Sequence, residues 1–277
     1  MRLAPPLWVL RTAFRTAGVV APGVAARWAE SIFCRPPRHD IRATEEAFLA
    51  TGARSTVRTG DLELALWRWG QGPVVLLVHG WGGRAGRFSS IAAALAAEGF
   101  GVVAFDAPAH GASAGRQASL PEFARALLDV AESLGPIHAL VGHSLGGAAV
   151  SLALSQGLSA ARVVLLAPPA DVFIFSTAFA EHLRIPTRVR TLMHKNLQDR
   201  LQFSWEGLHL PTLARAMTLP MLLVHDRDDP DVPYAHALEI ANAWAGAELV
   251  TTSGLGHRAI LRNPDVVGRT VEFLKRS

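Results

Sequence analysis

The stretch that decides the fold runs Ile137-His-Ala-Leu-Val-Gly142-His143-Ser144-Leu145-Gly146-Gly147. Residues 137–142 form a short apolar run that predicts a buried strand, and residues 145–158 predict a helix. The pattern Gly-x-Ser-x-Gly between them is typical of a sharp strand-to-helix turn that exposes a serine hydroxyl at the carboxyl end of a sheet. Such a pattern arises easily by chance, but its position between a strand and a helix, together with the further Gly147, makes it specific.

Short apolar runs alternate with longer amphipathic stretches on both sides of this turn. The predicted strands cover residues 74–79, 102–106, 137–142, 163–166, 221–225 and 247–251. The predicted helices cover residues 88–98, 120–134, 145–158, 234–244 and 264–275. Upstream, residues 55–58 and 62–69, joined by Thr59-Gly60-Asp61, predict an antiparallel hairpin at the sheet edge. The rhythm predicts an α/β fold class, with a mostly parallel, doubly wound sheet and helices on both faces.

The domain organisation follows from where this rhythm starts and where it breaks. The chain has 277 residues, 50% of them hydrophobic, so one core can bury roughly three quarters of the unfolded surface. Between Pro169 and Pro220, about 50 residues replace a short connection. We therefore predict a partly helical, basic N-terminal lead (1–55), a core (56–168 and 217–277) and a small helical cap (169–216) inserted before the acid-bearing strand.

The arginines of the N-terminal lead indicate which kinds of partner the protein could bind. Four arginines precede the first acid, Glu30: Arg2, Arg11, Arg15 and Arg27. The simpler interpretation is a solvated arginine face. The alternative is an amphipathic segment, with Leu7, Trp8, Leu10 and Phe14 between the arginines, that covers part of the core or contacts an anionic membrane surface. The sequence contains no basic run and no strand motif with interleaved aromatic residues, so we do not expect nucleic-acid binding.

The sequence also bears on the location of the protein and on the role of its single cysteine. Arg11 and Arg15 interrupt the apolar run that a secretory signal needs, and no stretch approaches the roughly 18 uncharged apolar residues of a membrane span. We therefore expect a cytoplasmic protein. Cys34 is the single cysteine and so cannot form an internal disulfide. The segment around it, residues 31–37, predicts no sharp strand-to-helix turn and contains no histidine, so we expect no catalytic role for it. The sequence leaves the oligomeric state open.

A serine hydroxyl is a poor nucleophile at neutral pH, so Ser144 needs a base and a carboxylate that orients the base. His257, in the glycine-rich segment Gly254-Leu-Gly-His257 after the last predicted strand, is the candidate base. Three other histidines lie in or beside loops near the predicted site, where we expect supporting hydrogen bonds rather than proton transfer: His79, His110 and His143.

The acid comes from a loop that carries Asp226, Asp228, Asp229 and Asp231. Asp229 is favoured because it begins Asp229-Pro-Asp-Val-Pro, where prolines stiffen the loop, and Asp228 stays the alternative. The chain order nucleophile, acid, base fits this fold class.

Acyl transfer also needs preorganised donors for the developing oxyanion. The amide of Leu145 follows the nucleophile at a helix start, where the dipole favours an anion. The loop His79-Gly80-Trp81-Gly82-Gly83 offers the amide of Trp81 as the second donor. The candidates for lining the substrate pocket are His79, Gly80, His143 and, in the predicted cap, Phe173, Phe179 and Trp205.

These motifs, with Asp106-Ala-Pro-Ala-His110-Gly-Ala-Ser113, resemble the α/β-hydrolase superfamily, and specifically its small single-domain serine esterases and lipases, over roughly residues 60–277. The resemblance implies the α/β-hydrolase fold. The oxyanion loop departs from the His-Gly-Gly-Gly form of hormone-sensitive-lipase-like members. Serine at the elbow, where haloalkane dehalogenases and epoxide hydrolases carry aspartate, argues against those reactions.

We therefore expect a carboxylesterase that acts on small-molecule, short- to medium-chain acyl esters through a Ser-His-Asp triad and an acyl-enzyme, with no cofactor and no metal. The same triad also suits a thioesterase, lactonase, amidase or acyltransferase, and the sequence does not separate these. A peripheral long-chain lipase and a non-catalytic binding protein are the more distant alternatives.

Overall fold

The computed structural model describes residues 6–276. Its strands are β1 (Ala53–Thr59), β2 (Leu62–Trp69), β3 (Val74–Val78), β4 (Gly101–Phe105), β5 (Ile137–His143), β6 (Arg162–Leu166), β7 (Met221–Asp226) and β8 (Ala247–Thr252). Its helices are α1 (Leu7–Val20), α2 (Pro22–Phe33), α3 (Ala43–Leu49), α4 (Ser89–Ala97), α5 (Leu120–Leu134), α6 (Leu145–Ser155), α7 (Phe173–His182), α8 (Thr187–Leu201), α9 (Leu210–Ala214), α10 (Ala235–Ala243), α11 (Gly256–Ala259) and α12 (Pro264–Lys275). Short 3₁₀ turns lie at Ala85–Phe88 and Glu206–Leu208.

All eight strands belong to one sheet, in the order β1-β2-β4-β3-β5-β6-β7-β8. The hairpin β1–β2 is antiparallel and joins the sheet edge through antiparallel pairing of β2 with β4. The remaining neighbours are parallel, so the carboxyl ends of β3 to β8 lie at the same edge. The predicted fold class, including the edge hairpin, is confirmed.

The central strands are hydrophobic on both faces because helices cover both. Every residue of β3 and β4 is buried, as expected for parallel strands inside an α/β core. Local signals set the helix bounds: Ser119 accepts a hydrogen bond from the Glu122 amide at the start of α5, and Asn263 caps α12. Each of these helices also has proline in its first turn, where no amide donor is needed.

Backbone contacts divide the chain into a larger unit, residues 36–170 and 209–277, and a smaller unit, residues 1–35 and 171–208. The larger unit contains the whole sheet. Residues 36–55, which the sequence analysis placed in the N-terminal lead, belong to the larger unit through α3. The assignment of residues 169–216 as a cap stays a prediction.

The described part of the smaller unit is built from α1, α2, α7 and α8. Its core contains Phe14, Val189 and Met193, and Phe14 stacks on Trp28 with ring centroids 4.2 Å apart. The first helix therefore covers the core of the smaller unit. The sequence analysis gave the covering of part of the core as one role for an amphipathic N-terminal segment. Arg2 lies outside the described residues. Within residues 6–276, no helix has both the length and the apolar character needed to cross a membrane.

Candidate active site

Ser144 lies between β5 and α6 in a strained backbone conformation, with φ 53° and ψ −125°. A residue other than glycine rarely adopts positive φ, and such strain is concentrated at functional sites. The turn also needs a glycine two residues later, because a Cβ on Gly146 would lie 2.1 Å from the carbonyl oxygen of Val78. The local geometry is that of a nucleophile elbow, with α6 beginning directly after the serine.

The loop after β7 brings Asp229 to His257. Asp229 Oδ2 accepts a hydrogen bond from His257 Nδ1 at 2.7 Å, and both side chains are buried. Asp229 Oδ1 accepts from the amides of Asp231 and Val232 at 2.8 and 2.9 Å. The carboxylate is therefore held by the backbone on one oxygen and orients the imidazole with the other.

The other acids of this loop have different partners. Asp228, the alternative acid, accepts from the amide of Gly254 at 2.8 Å. Asp226 accepts from the Thr252 hydroxyl and the Leu255 amide, so it joins the ends of β7 and β8. Among these carboxylates, the structure brings Asp229 to the imidazole.

Two opposing effects set the pKa of Asp229. Burial alone raises the pKa of this carboxyl, but the hydrogen bonds from His257 and from two backbone amides outweigh it and hold the pKa below its ordinary value. Asp229 is therefore ionised at neutral pH, the state that stabilises a protonated imidazole beside it.

His257 lies in the short helix α11, whereas the sequence analysis placed it in a glycine-rich loop. Gly254 and Gly256 precede it with positive φ, so the glycines form the turn that leads into this helix. The carbonyl oxygen of His257 accepts a hydrogen bond from His143 Nε2 at 2.8 Å, and the two rings lie 4.8 Å apart. The residue before Ser144 thus holds the main chain of the candidate base.

His143 is neutral at physiological pH. Burial, together with the nearby His257, lowers the pKa of His143 to about 3. Its Nε2 must carry the proton, because a carbonyl oxygen accepts the bond. This residue was predicted as a pocket candidate, and its buried imidazole holds the backbone of the base.

Two more neutral histidines fix the loop that follows β3. His79 Nε2 accepts from the amide of Ala107 at 3.0 Å, and its Nδ1 donates to the carbonyl of Gly80. His110 Nε2 accepts from the amide of Gly82 at 3.0 Å, and its Nδ1 donates to the carbonyl of Pro108. Backbone amides always donate, so both rings carry their proton on Nδ1.

Burial lowers the pKa of His79 to about 4. Burial, followed by the repulsion from a charged His79, lowers the pKa of His110 to about 3. Both rings stay neutral near pH 7, as their acceptor roles require. The supporting roles expected for these histidines agree with these hydrogen bonds.

The same loop lies directly against Ser144. A Cβ on Gly80 would lie 2.8 Å from Ser144 Cβ and 3.3 Å from Ser144 Oγ. Trp81 is 38% exposed, and its ring packs edge-on to His110 with centroids 5.3 Å apart. Leu145 is the first residue of α6, where helix geometry leaves the N–H without an intrahelical acceptor. The loop from β3 and the start of α6 therefore border Ser144.

Phe173, Phe179 and Trp205 belong to the smaller unit. Phe173 lies 4.8 Å from the His194 ring and 5.1 Å from the Trp205 ring, and Phe179 packs on Phe33. Their predicted role in the substrate pocket stays a prediction.

The sequence analysis missed His225, the penultimate residue of β7. Its Nε2 donates to the carbonyl of Val232 at 2.9 Å and lies 3.6 Å from Asp229 Oδ2. Its position at the end of the strand that precedes the acid loop was the available signal. His225 supports the loop that holds the acid. Across residues 6–276, no group of three or more His, Cys, Asp or Glu side chains is placed to hold a metal ion.

Comparisons with known proteins concern the family and the fold of the chain. A family model described as "Serine aminopeptidase, S33" matches residues 71–206, and one described as "TAP-like protein" matches residues 207–276. Among solved structures, an esterase of Pyrococcus furiosus has a TM-score of 0.67 at 22% identity, covering 87% of this chain and 98% of that one. A putative lipase of Acinetobacter baumannii has a TM-score of 0.65 at 20% identity, covering 86% and 98%. The chain has the α/β-hydrolase fold, and the two family models together span residues 71–276.

One curated relative is similar over a shorter segment. A pimeloyl-[acyl-carrier protein] methyl ester esterase of Chromobacterium violaceum is 45% identical over 80 residues, which make up 28% of this chain. The matched segment spans 30% of that relative.

Proposed function

We propose that this protein is a serine hydrolase that cleaves carboxylic esters. The observation that carries the proposal is the 2.7 Å hydrogen bond between buried Asp229 and His257, in a chain whose elbow holds Ser144 at φ 53°. An ionised carboxylate, an oriented imidazole and a half-buried serine at the carboxyl edge of the sheet are three parts that acyl transfer needs.

In the proposed mechanism, Ser144 Oγ attacks the ester carbonyl carbon while His257 Nε2 accepts the hydroxyl proton. His257 then gives this proton to the leaving alkoxide, which departs as the alcohol and leaves an acyl-enzyme. Water, deprotonated by His257, attacks the acyl-enzyme, and the bond between the acyl carbon and Ser144 Oγ breaks to release the carboxylic acid. His257 gives the proton taken from water to Ser144 Oγ, which restores the serine hydroxyl. Asp229 keeps the Nδ1 proton on His257 and stabilises the imidazolium in both steps.

The oxyanion of each tetrahedral intermediate is proposed to accept hydrogen bonds from the amides of Trp81 and Leu145. The contact of Gly80 with Ser144 supports this role for the loop, and the neutral His79 and His110 hold the loop in place. Donors that are fixed before the reaction lose no energy to reorganisation when the charge develops. The reaction as written needs no metal or organic cofactor.

We propose an uncharged acyl ester of short to medium chain length as the substrate. The methyl ester esterase among the relatives supports an ester, and the apolar candidates Phe173, Phe179 and Trp205 favour an uncharged acyl chain. A series of p-nitrophenyl esters from acetate to palmitate, measured as kcat/KM, reports this preference, since kcat/KM measures differential transition-state binding.

The proposed mechanism is tested by comparing Ser144→Ala with Ser155→Ala on the best ester of that series. Ser155 is the last residue of α6, and its hydroxyl donates to the carbonyl of Leu152. Loss of the nucleophile is expected to lower kcat by about 10⁴-fold or more, and Ser155→Ala is expected to keep the wild-type rate. A wild-type protein that cleaves thioesters, lactones or anilides faster than esters contradicts the ester assignment. Equal rates for wild type and Ser144→Ala contradict the serine mechanism.

A further inference from the structure

Large apolar side chains are unusually exposed on the first two helices. Trp8 is 70% exposed, Val19 and Val20 are each 79% exposed, and Val24 is 57% exposed. Scattered exposed apolar residues are normal, but a cluster within 17 consecutive residues marks an interaction surface.

Helix periodicity places Trp8 and Val19 on one side of α1. Trp8, Arg15 and Val19 are spaced i, i+7 and i+11, so they share one line along the helix. The buried residues of the same helix, Phe14 and Gly18, point away from this line. A Cβ on Gly18 would lie 2.9 Å from Pro186, so this inner side is closely packed within the smaller unit.

The surface continues across the turn into α2, where Val24 and Arg27 are also exposed. We call Trp8, Arg15, Val19, Val20, Val24 and Arg27 the outer face. It has apolar side chains beside two exposed arginines, and α1 has no acidic residue. The one acid of α2, Glu30, is paired with Arg200 at 2.7 Å.

The positive charge of the chain is concentrated in the same unit. The smaller unit contains ten of the 27 lysines and arginines but five of the 23 acidic residues. Its net charge is therefore +5, whereas the larger unit is at −1. An apolar face with this charge is complementary to a surface that combines anionic groups with accessible hydrocarbon.

We propose that the outer face docks on the surface of an anionic lipid bilayer. Trp8 and the valines enter the boundary between headgroups and acyl chains, where tryptophan is favoured, while Arg15 and Arg27 contact anionic headgroups. A second copy of the chain fits this face less well, because a two-fold contact would place the same arginines against one another. The contact is peripheral and reversible.

Co-sedimentation of the full chain with vesicles tests this proposal independently of catalysis. We expect binding to vesicles of phosphatidylcholine with 30% phosphatidylglycerol (about a third anionic lipid, as in a strongly charged leaflet), and much weaker binding to phosphatidylcholine alone. Raising the salt concentration weakens the binding, since ions screen exposed charges. The double variant Arg15→Gln/Arg27→Gln is expected to bind about 30-fold more weakly, from about fivefold for each arginine.

Matched variants in the larger unit distinguish binding through the outer face from nonspecific adsorption to vesicles. Arg262→Gln/Arg269→Gln removes two exposed arginines, and Leu238→Ser removes a 44% exposed apolar residue. Both are expected to bind like wild type, whereas Trp8→Ser/Val19→Ser is expected to lose binding without a change in the circular dichroism melting temperature.

Three results overturn the proposal. The first is no binding to anionic vesicles, and the second is equal loss in the outer-face and control variants. The third is that multi-angle light scattering finds a dimer, that Trp8→Ser/Val19→Ser dissociates this dimer, and that vesicle binding is absent. This result assigns the outer face to a second copy of the chain. Each readout is independent of ester hydrolysis, so failure here leaves the proposed function unchanged.

Discussion

The candidate active site and the outer face of the smaller unit differ in how their side chains are held. In the site, Asp229, His79, His110 and His143 each have hydrogen-bond partners in the surrounding backbone or side chains. On the outer face, Trp8 and its neighbours extend into solvent. Chemistry needs groups fixed before the substrate arrives, whereas docking on a fluid surface needs exposed apolar area and charge. Substitutions in the two regions should therefore have very different consequences for catalysis.

Beyond the loss of Ser144 itself, the largest effect is expected for the proposed acid, Asp229. Asp229→Asn keeps the shape of the side chain but removes the charge that holds the Nδ1 proton on His257, so kcat should fall by about 10⁴-fold. Asp228→Asn changes a neighbouring acid that binds the amide of Gly254 and should stay within threefold or so of wild type, as is usual away from the reacting groups. Steady-state ester hydrolysis measures both, and a larger loss for Asp228→Asn assigns the acid to that residue.

A smaller loss of activity is expected from one added methyl group. In Gly80→Ala the new Cβ meets Ser144 Cβ at 2.8 Å, so either Ser144 or the loop after β3 must shift. Misplacement by about 1 Å costs on the order of 10²-fold in kcat.

The control for that variant is Gly23→Ala in α2, where a Cβ has no atom within 4 Å. It should leave kcat unchanged. If both glycine variants keep full activity, the loop after β3 is not as tightly fixed around Ser144 as its contacts indicate.

The buried histidines predict how stability depends on pH. The unfolded chain takes up a proton at each of His79, His110 and His143 near pH 6.5, whereas their folded-state pKa values are about 4, 3 and 3. Between these limits the unfolded state binds more protons, so the free energy of unfolding falls as the pH drops below 6.5. At pH 5 the loss is about 2 kcal/mol for each histidine.

Urea denaturation at pH 7.5 and pH 5 measures this loss. His110→Gln keeps one donor and one acceptor for its backbone partners but does not titrate, so it should reduce the loss by about 2 kcal/mol. Between pH 7.5 and 9 the variant and wild type should depend on pH equally. An unchanged loss at pH 5 means that His110 takes up its proton in the folded state.

The smallest effect is expected on the outer face. Val24→Ser/Arg27→Gln changes two exposed side chains, so kcat/KM on a soluble ester should stay within about twofold and stability within about 0.5 kcal/mol of wild type. A large loss of ester hydrolysis in this variant contradicts the contrast between the two regions.

Much of the larger unit could be predicted from local patterns. The helix at residues 120–134 was predicted at its observed bounds, and in the structure Ser119, Pro121 and Gly135 mark its ends. The elbow was also recognisable, because strand, turn and helix are adjacent in sequence. The short helix at His257 was not, since a single turn after glycines has too few residues to show a helical period.

The candidate site was only partly visible in the same way. Four aspartates within six residues look alike in sequence, and the proline after Asp229 favoured it without excluding Asp228. Their distinct partners depend on β8 and α11, which lie more than 20 residues further along the chain. His225 was missed because its role depends on the carbonyl of Val232, and a sequence pattern carries no information about where a carbonyl points.

The sequence by itself determined the α/β sheet, the serine turn and the candidates for acid and base, because period, glycine spacing and strand ends are local properties. The tertiary structure alone decided which carboxylate reaches the imidazole and how neutral histidines fix the loop after β3. It also decided that α1 and α2 pack with α7 and α8. An amphipathic helix shows that it has a face to bury, but the partner 150 residues away is selected by shape and packing, which no local pattern records.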